Sequence, residues 1–521
     1  MKKNRNKGKS STKACIRASR HYIQNNLVML KNAKITLQML YLCFFFSVLC
    51  FILLPGCMMG PKYSRPETAA QTSETYVYLG NNEADVNDLS SSDNWWKSFG
   101  DPVTIELVQE ALQNNYDLKA AAARVLQAQA ALSETRGLQL PDVSYGLSGN
   151  KSKQSFNLGS FAGGGRFTVM STTWSQAITA NYVLDFFGKL RRMERASWAD
   201  MLAVKTNQQA LTNSIIALVI NTRINIAIAQ KRLTLARENI ESQQQTLYIV
   251  ERRFEQGLVG PVDLSLAREN LASLKAIEPV IEMQLITSRN ALDVILGRTP
   301  GSSENLPETL DDLPQIENIP VGLPVSLLDR RPDIKAAEFT LVAANERIGV
   351  SIAQLFPDLG LTGIFGYSGD TYREIFKYDY TEMYSEIMNL AQPIFKGGQL
   401  RAQIKAAKAR YEELAANYAG VVLSALRDVE DALIIEQKLN EQLEQVQIQL
   451  TEAKTAENLS RQRYENGVEG ILTVLESERR SRISEEQLII LKGQIWSSRV
   501  NLHLALGGDW TDRQKSFAAD K

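Results

Sequence analysis

The second half of this chain repeats the first half at an offset of 210 to 216 residues. Residues 115–120 (NYDLKA) return as 331–336 (RPDIKA), and Leu-Pro-Asp at 140–142 returns as Phe-Pro-Asp at 356–358. The other matching pairs are 187–191 with 396–401, 253–257 with 463–467, and 296–297 with 506–507. Two copies of one long unit predict a quasi-symmetric assembly rather than a single catalytic cleft.

The composition leaves little material for catalysis. The chain has two histidines and four cysteines, and the cysteines are Cys15, Cys43, Cys50 and Cys57. A chain that starts at Cys57 keeps one cysteine and one histidine, His503, which excludes a His/Cys metal site, a redox pair and a disulfide framework. His503 lies near the end of a helical pattern, and we interpret it as an ordinary packed or rim side chain. We therefore predict no enzyme, no catalytic residue, no metal and no cofactor apart from a covalent lipid.

The N-terminus has the pattern of an export signal. Residues 1–38 carry ten Lys and Arg but no Asp or Glu, and an apolar stretch follows at 39–54. This stretch is shorter than the ~20 residues that a membrane-spanning helix needs. We therefore predict a signal peptide over residues 1–56 rather than a helical anchor.

Leu-Pro-Gly-Cys at 54–57 resembles a bacterial lipobox, in which the cysteine becomes the lipidated first residue. We therefore predict a lipid on Cys57, and the Met at position 58 favours the outer membrane over the inner one. Without the ten basic residues of the leader, 48 Lys and Arg face 58 Asp and Glu. This negative balance disfavours nucleic acid as a partner. The sequence leaves open whether Met1 or Met29 is the start.

The mature chain divides into a linker and two repeats. The predicted segments are a lipidated N-terminal linker at 57–100, repeat 1 at 101–310, repeat 2 at 311–510 and a C-terminal tail at 511–521. Trp95, Trp96 and Phe99 form an aromatic anchor at the end of the linker, and Asp101 with Pro102 predicts a helix start. Each repeat begins with an Ala-rich helix, at 102–137 and at 332–355.

Two predicted strands follow in each repeat, at 140–152 and 168–186 in the first, and at 357–369 and 382–395 in the second. Apolar Trp174, Ile178 and Tyr182 alternate there with polar Ser175 and Thr179. Strands of roughly ten residues with one apolar and one polar face fit a barrel wall in lipid. A half-buried soluble sheet is the alternative that this alternation leaves open.

A long helical hairpin closes each repeat. Residues 189–256 contain neither Gly nor Pro, and residues 399–466 contain no Pro and a single Gly, Gly420. Helices of this length would extend on the order of 100 Å. After glycine-containing turns at 257–261 and 467–470, return helices are predicted at 262–296 and 471–506.

The number of strands bears on the assembly. Four strands cannot close a membrane barrel, since the smallest such barrels have about eight strands. Open sheet edges are not tolerated in lipid, so several chains must share one barrel.

In this arrangement the chain resembles the outer-membrane efflux proteins of the lipoprotein type, the exit ducts of tripartite pumps. The segments that carry the resemblance are 60–66 (GPKYSRP), 95–102 (WWKSFGDP), 330–334 (RRPDI) and the doubled turns at 254–257 and 464–467. Each segment alone is weak evidence for the family, but the occurrence of all of them in this order on a duplicated sequence is specific. The match covers nearly all of residues 57 to 510.

The resemblance implies a mainly α fold with a membrane β-barrel portion: a homotrimer with a twelve-strand barrel in the outer membrane above a twelve-helix periplasmic α-barrel. It also implies docking to a periplasmic adaptor (membrane-fusion) protein and an inner-membrane pump, with passive conduction of drugs or other small molecules to the outside. A duct for protein (type I) secretion stays open as an alternative, as does a structural periplasmic coiled-coil or adaptor lipoprotein.

Two sets of residues are candidate functional sites. Glu469 and Glu476 are seven residues apart, on nearly one helical face, and are predicted to line the periplasmic aperture as acidic rings that favour cations. A solvated helix face is the alternative. The predicted adaptor-docking residues at the hairpin tips are Gly257, Leu258, Val259, Gly260, Gly467 and Gly470, and these glycines would also serve as helix caps and turn-formers.

Overall fold

The structure is a computed structural model that describes residues 58–68, 70, 75–78, 95–157, 166–302, 306–307, 324–377 and 381–508. Repeat 1 contains helices α1 (Pro102–Asn114) and α2 (Tyr116–Gly137), strands β1 (Asp142–Asn157) and β2 (Arg166–Leu184), and helices α3 (Lys189–Glu255) and α4 (Pro261–Ile295). Repeat 2 contains α5 (Pro332–Ala353), β3 (Asp358–Gly369), β4 (Glu382–Ala391), α6 (Gln399–Glu465) and α7 (Ile471–Ala505). A short helix, Leu327–Arg330, precedes α5 as α1 precedes α2, so the order of elements is the same in both repeats.

The helix predicted at 102–137 is wrong as a single element, because it is interrupted at Asn115. The Asn115 side chain accepts hydrogen bonds from the backbone N–H groups of Asp117 and Leu118, at 2.9 and 3.1 Å. Its amide also donates to the carbonyl of Ile295 at the end of α4. A buried asparagine that caps a new helix competes with the continuing helix, and it ties α2 to the base of the hairpin.

The long helices are confirmed to within one or two residues of their predicted ends. Among the described helices, α3 alone is long and apolar enough to cross a membrane by length and composition. However, 61% of its most apolar window is buried within the protein. The apolar run therefore belongs to a core, which includes Ile216, Ile220 and Ile224 of α3.

The sheet has the order β1-β2-β3-β4 with antiparallel neighbours throughout. Val143 lies opposite Ala180, Ala180 opposite Gly363, and Gly363 opposite Glu386. Strand β1 extends beyond its predicted end at residue 152, to Asn157. Strand β2 begins at Arg166 and ends at Leu184, where the prediction was 168–186. Strand β4 ends at Ala391 rather than at the predicted residue 395. Within the described chain, the outer edges of β1 and β4 have no strand partner.

The two faces of the sheet differ in polarity, as the alternation predicted. One face, here called the apolar face, carries Tyr145, Ile178, Leu361, Phe365 and Leu390, which the register places on the same side of the sheet. The other face carries Ser148 hydrogen-bonded to Ser175, and Thr362 hydrogen-bonded to Asn181.

The segment that follows Cys57 is held at the junction of strands and helices. The N–H of Met59 donates to the carbonyl of Phe187 at 3.2 Å, just beyond the end of β2. The carbonyls of Met59 and Gly60 accept hydrogen bonds from Arg192, whose guanidinium forms a buried ion pair with Glu346 of α5 at 2.8 Å. Gly60 adopts φ 105°, and a Cβ there would lie 2.6 Å from the backbone of Gly349, so this close approach requires glycine.

The aromatic anchor packs against the last helix. Trp95 stacks on His503 with a centroid distance of 5.0 Å, and Phe99 contacts both His503 and Trp496. Burial lowers the pKa of His503 to about 4, with a smaller contribution from the nearby Arg499 cation. The interpretation of His503 as an ordinary packed side chain is confirmed.

Candidate functional site

The tip of each hairpin is built on one helix-ending motif. At the end of α3, Gly257 adopts φ 71°, its N–H donates to the carbonyl of Phe254, and Leu258 N–H donates to the carbonyl of Arg253. The end of α6 repeats this geometry, with Gly467 at φ 70°. This pair of hydrogen bonds defines the Schellman motif, which uses a left-handed glycine to satisfy the last carbonyls of a helix.

The second glycine of each tip has a different role. Gly260 and Gly470 have extended backbone at φ −88° and −85°, and each precedes the first residue of a return helix. A Cβ added at either position would meet no atom within 4 Å. The conformation therefore permits any residue at these two positions.

Alanine substitutions separate the two roles. We expect the pair Gly257→Ala and Gly467→Ala to destabilise the tips by about 1–2 kcal/mol per site, because an L-residue is strained in the left-handed region. The matched pair Gly260→Ala and Gly470→Ala should stay within about 0.5 kcal/mol of the parent. Thermal unfolding of purified protein measures both, and equal effects of the two pairs would contradict the assignment.

Exposed apolar side chains surround both tips. Leu258 is 63% exposed and its counterpart Val468 is 66% exposed, while Val262 and Leu472 are 67% and 66% exposed. Val259 instead packs partly buried against the cluster of Val250, Ala267, Tyr464, Ile471, Val474 and Leu475. Of the two apolar docking candidates at this tip, Leu258 is therefore mainly exposed, whereas Val259 is only partly exposed.

Val468, Val262 and Leu472 were missed by the sequence reasoning. The 210-residue offset would have identified Val468, since it relates this residue to the candidate Leu258. It also relates Val262 to Leu472, but neither of these was a candidate. The two tips therefore present matching pairs of apolar side chains to solvent.

One arginine joins the two hairpins at their tips. The Arg253 guanidinium of α3 lies 4.5 Å from the ring centroid of Tyr464 in α6 and donates to the Tyr464 carbonyl at 2.6 Å. A cation over an aromatic face contributes roughly 0.5–1 kcal/mol at an exposed site. The tips of the two hairpins are therefore connected within one chain.

A buried charged layer lies above the tips. The Glu478 carboxylate is 3% exposed and accepts hydrogen bonds from Arg461 at 2.9 Å and from Thr246 at 3.2 Å. Arg461 also donates to Ser242 of α3. These residues couple α3, α6 and α7, and no sequence motif indicated them.

Both candidate aperture glutamates have polar partners in the chain. Glu469 accepts a hydrogen bond from Thr473 at 3.0 Å and lies 3.5 Å from Arg463. Glu476 forms ion pairs of 2.8 Å with both Arg479 and Arg480.

These hydrogen bonds, first from Arg479 and then from Arg480, lower the pKa of Glu476 to about 2. The carboxylate therefore stays ionised above pH ~4. The group of Glu476, Arg479 and Arg480 has a net charge of one positive unit, so this glutamate lies in a mixed patch rather than a purely acidic one.

Cys57 and the predicted signal peptide lie outside the described residues, so the structure does not report on the lipid site. In the described part of the chain, no group of three or more His, Cys, Asp or Glu side chains is arranged to hold a metal ion.

Comparison with known proteins gives consistent matches. The family model described as "Outer membrane efflux protein" matches residues 107–298 and 323–508, which correspond to the two repeats. The pyoverdine export outer membrane protein OpmQ of Pseudomonas aeruginosa is 31% identical over 467 residues, covering 89% of this chain and 96% of OpmQ. The cation efflux system protein CusC of Escherichia coli is 29% identical over 455 residues, covering 87% and 97% of the two chains.

Solved structures match over a similar extent. The outer-membrane channel OprN superposes with a TM-score of 0.79 at 28% identity, covering 87% of this chain and 100% of the other. A structure of CusC superposes with a TM-score of 0.77 at 28% identity, with the same coverage.

Proposed function

The chain belongs to the outer membrane efflux protein family, and from this membership we propose that three copies form an exit duct docked to a periplasmic adaptor and supplied by an inner-membrane pump. The family provides the outer-membrane channel of efflux systems, and its members are channels rather than enzymes. The protein is therefore an outer-membrane efflux channel of a bacterium.

The unpaired edges of β1 and β4 are the observation that carries the trimer proposal. Each edge presents a row of backbone N–H and C=O groups, and each such group left unsatisfied in hydrocarbon costs several kcal/mol. A single chain with four strands cannot close a barrel, whereas three chains supply twelve. Closure by neighbouring copies satisfies both edges at once.

The proposed cargo is small molecules or ions, which cross the duct by passive conduction while the pump supplies the energy. The names of the relatives support this class: they mention pyoverdine export, cation efflux and toluene efflux. The structure supports a passive role, since the candidate residues are structural caps, apolar contacts and ion pairs.

A lipid on Cys57 would anchor each copy at the base of its barrel. Met59 is hydrogen-bonded to Phe187 at the end of β2, and β2 belongs to the proposed membrane sheet. A lipid two residues before Met59 would therefore enter the periplasmic leaflet beside the barrel.

Glu469 and Glu476 remain our candidates for an acidic ring at the periplasmic aperture. We expect purified protein to produce discrete conductance steps in planar bilayers, and Glu469→Gln plus Glu476→Gln to shift its ion preference away from cations. Glu476→Gln should have the larger effect, because it leaves Arg479 and Arg480 without their anionic partner. The contribution of Glu476 should not change between pH 8 and pH ~4, because its carboxylate stays ionised over this range.

An unchanged reversal potential in the double variant would reject these two residues as the selectivity element. Absence of conductance from correctly folded oligomers would reject the open duct itself. The matched control is Glu465→Gln, since Glu465 is exposed at the end of α6 near the same tip.

A further inference from the structure

The register of the sheet follows the sequence duplication. The repeat alignment relates β1 to β3 by 216 residues and β2 to β4 by 210 residues. Adding these offsets to the observed β1–β2 pair Asp142↔Asn181 gives Asp358↔Ala391, which is an observed β3–β4 pair. The same relation holds for every observed β3–β4 pair, so the duplication extends to individual backbone pairs.

The junction between β2 and β3 then serves as a template for the junction between two copies. Adding 210 to Gln176 of β2 gives Glu386 of β4, and subtracting 216 from Tyr367 of β3 gives Lys151 of β1. The observed pair Gln176↔Tyr367 therefore predicts Glu386 opposite Lys151. We propose that β4 of one copy pairs antiparallel with β1 of the next copy in this register, with an ion pair between Glu386 and Lys151 of the neighbouring copy. The inference rests on the proposed oligomeric barrel and specifies how its copies join.

Exposed apolar residues at the end of β4 support this register. Within one chain, β4 ends at Ala391 because its partner β3 begins at Asp358. Beyond that end, Ile394 is 96% exposed and Phe395 is 87% exposed. The proposed register continues β4 and places Ile394 opposite Val143 of the next copy, which is itself 65% exposed within one chain. It likewise brings Leu390 opposite Leu147.

The position of Pro393 is compatible with the same β4–β1 junction between two copies, here called the seam. Ser368 N–H donates to the Thr381 carbonyl, in continuation of the β3–β4 register. Because backbone groups alternate sides in an antiparallel pair, odd-numbered residues of this strand turn their N–H and C=O groups toward β3. Pro393 therefore lacks an N–H on the side away from the seam, and Gln392 and Ile394 keep theirs for the next copy.

Charge supplies a third argument. Lys151 and Glu386 both lie on the apolar face, in register with Val143, Leu147 and Leu390. Neither forms an ion pair within the described part of the chain, and an isolated charge on a lipid-facing surface is costly. Opposite charges directly across a strand pair stabilise it. The register brings one of each sign together at every seam.

An engineered disulfide between two copies tests the register directly. Ser385 and Ser152 are predicted opposite each other on the polar face as a non-hydrogen-bonded pair, whose Cα atoms lie about 4.5 Å apart and suit a disulfide. We expect Ser385→Cys with Ser152→Cys to give covalent dimers and trimers on mild oxidation. The four native cysteines all fall within the first 57 residues, so each single-cysteine variant serves as background.

The matched control is Ser385→Cys with Ser148→Cys, four residues along β1 and so roughly 13 Å away. This control should give no covalent product. Product from position 148, or from cysteines at 150 or 154 in place of 152, would overturn the proposed register. If the parent protein is oligomeric in detergent but the 385/152 cysteine pair gives no covalent product, the register is rejected and the proposed trimer is not. A monomeric parent would instead reject the proposed trimer.

Charge reversal tests the ion pair. Lys151→Glu and Glu386→Lys should each lower the temperature at which the trimer dissociates on gels by several degrees, because each places two like charges at every seam. The double variant should recover the parent temperature. A double variant no more stable than the single variants would reject the ion pair.

Discussion

Replacement of Arg192 by Met should lower the free energy of unfolding by about 3–5 kcal/mol, because it leaves the buried Glu346 carboxylate without a cation. The side chains of this pair are only 4% and 9% exposed. Arg192 also donates to the carbonyls of Met59 and Gly60, so the variant should release the N-terminal segment from the base of the barrel. Chemical denaturation measures the first effect, and hydrogen exchange at Met59 measures the second.

Two further variants make this result specific. Arg136→Met removes a comparable ion pair with Glu194 whose arginine is 57% exposed, and it should cost at most about 1 kcal/mol. Arg192→Met combined with Glu346→Leu should recover much of the loss, since a buried pair replaced by apolar side chains is often near neutral. Equal stabilities of Arg192→Met and Arg136→Met would contradict the account.

Leu258→Asp combined with Val468→Asp should abolish efflux with little change in stability. Both side chains are about two-thirds exposed at the tips, so the charge is solvated in the free protein. In a docked complex it would be buried against apolar surface at a cost of several kcal/mol, which corresponds to a loss of affinity of at least ~100-fold. Survival of cells on a pump substrate, with cross-linking from position 258 to a co-expressed adaptor, measures this loss.

The control for this variant introduces the same charge at the same tips. Gln256→Glu with Asn466→Asp alters residues that are already polar and exposed, and it should leave efflux near the parent level. Full efflux by the Leu258→Asp, Val468→Asp variant would reject the tips as the docking surface. Loss in both variants would indicate a general sensitivity to charge instead.

Periodicity explains why much of the fold was predictable. A 67-residue helix such as α3 needs only the absence of Gly and Pro and a recurring apolar stripe, and both properties are local. The strand faces were predictable for the same reason, since successive side chains alternate between faces. Gly257 and Gly467 were predictable as helix ends because a left-handed residue strongly favours glycine.

Other features depended on contacts between distant residues. Asn115 interrupts the first helix because its amide reaches the carbonyl of Ile295, 180 residues away. Val259 is partly buried while Leu258 is exposed, because Val259 packs against a cluster formed by both hairpins. Glu469 and Glu476 occur at the spacing of one helical face, but Glu469 lies in the turn before α7, which begins only at Ile471, so the two do not share a face of that helix. Arginines beside them also pair with both carboxylates.

The amino-acid sequence by itself determined the duplication, the order of elements in each repeat, the lengths of the helices and the need for partner copies. These follow from local periods and from the hydrogen-bonding demand of strand edges in lipid. Only the tertiary structure decided which tip side chains are exposed, how Arg192 and Glu346 hold the N-terminal segment, and how the four strands align. Those features depend on the direction and separation of groups far apart in the chain, and a pattern within one segment carries no information on them.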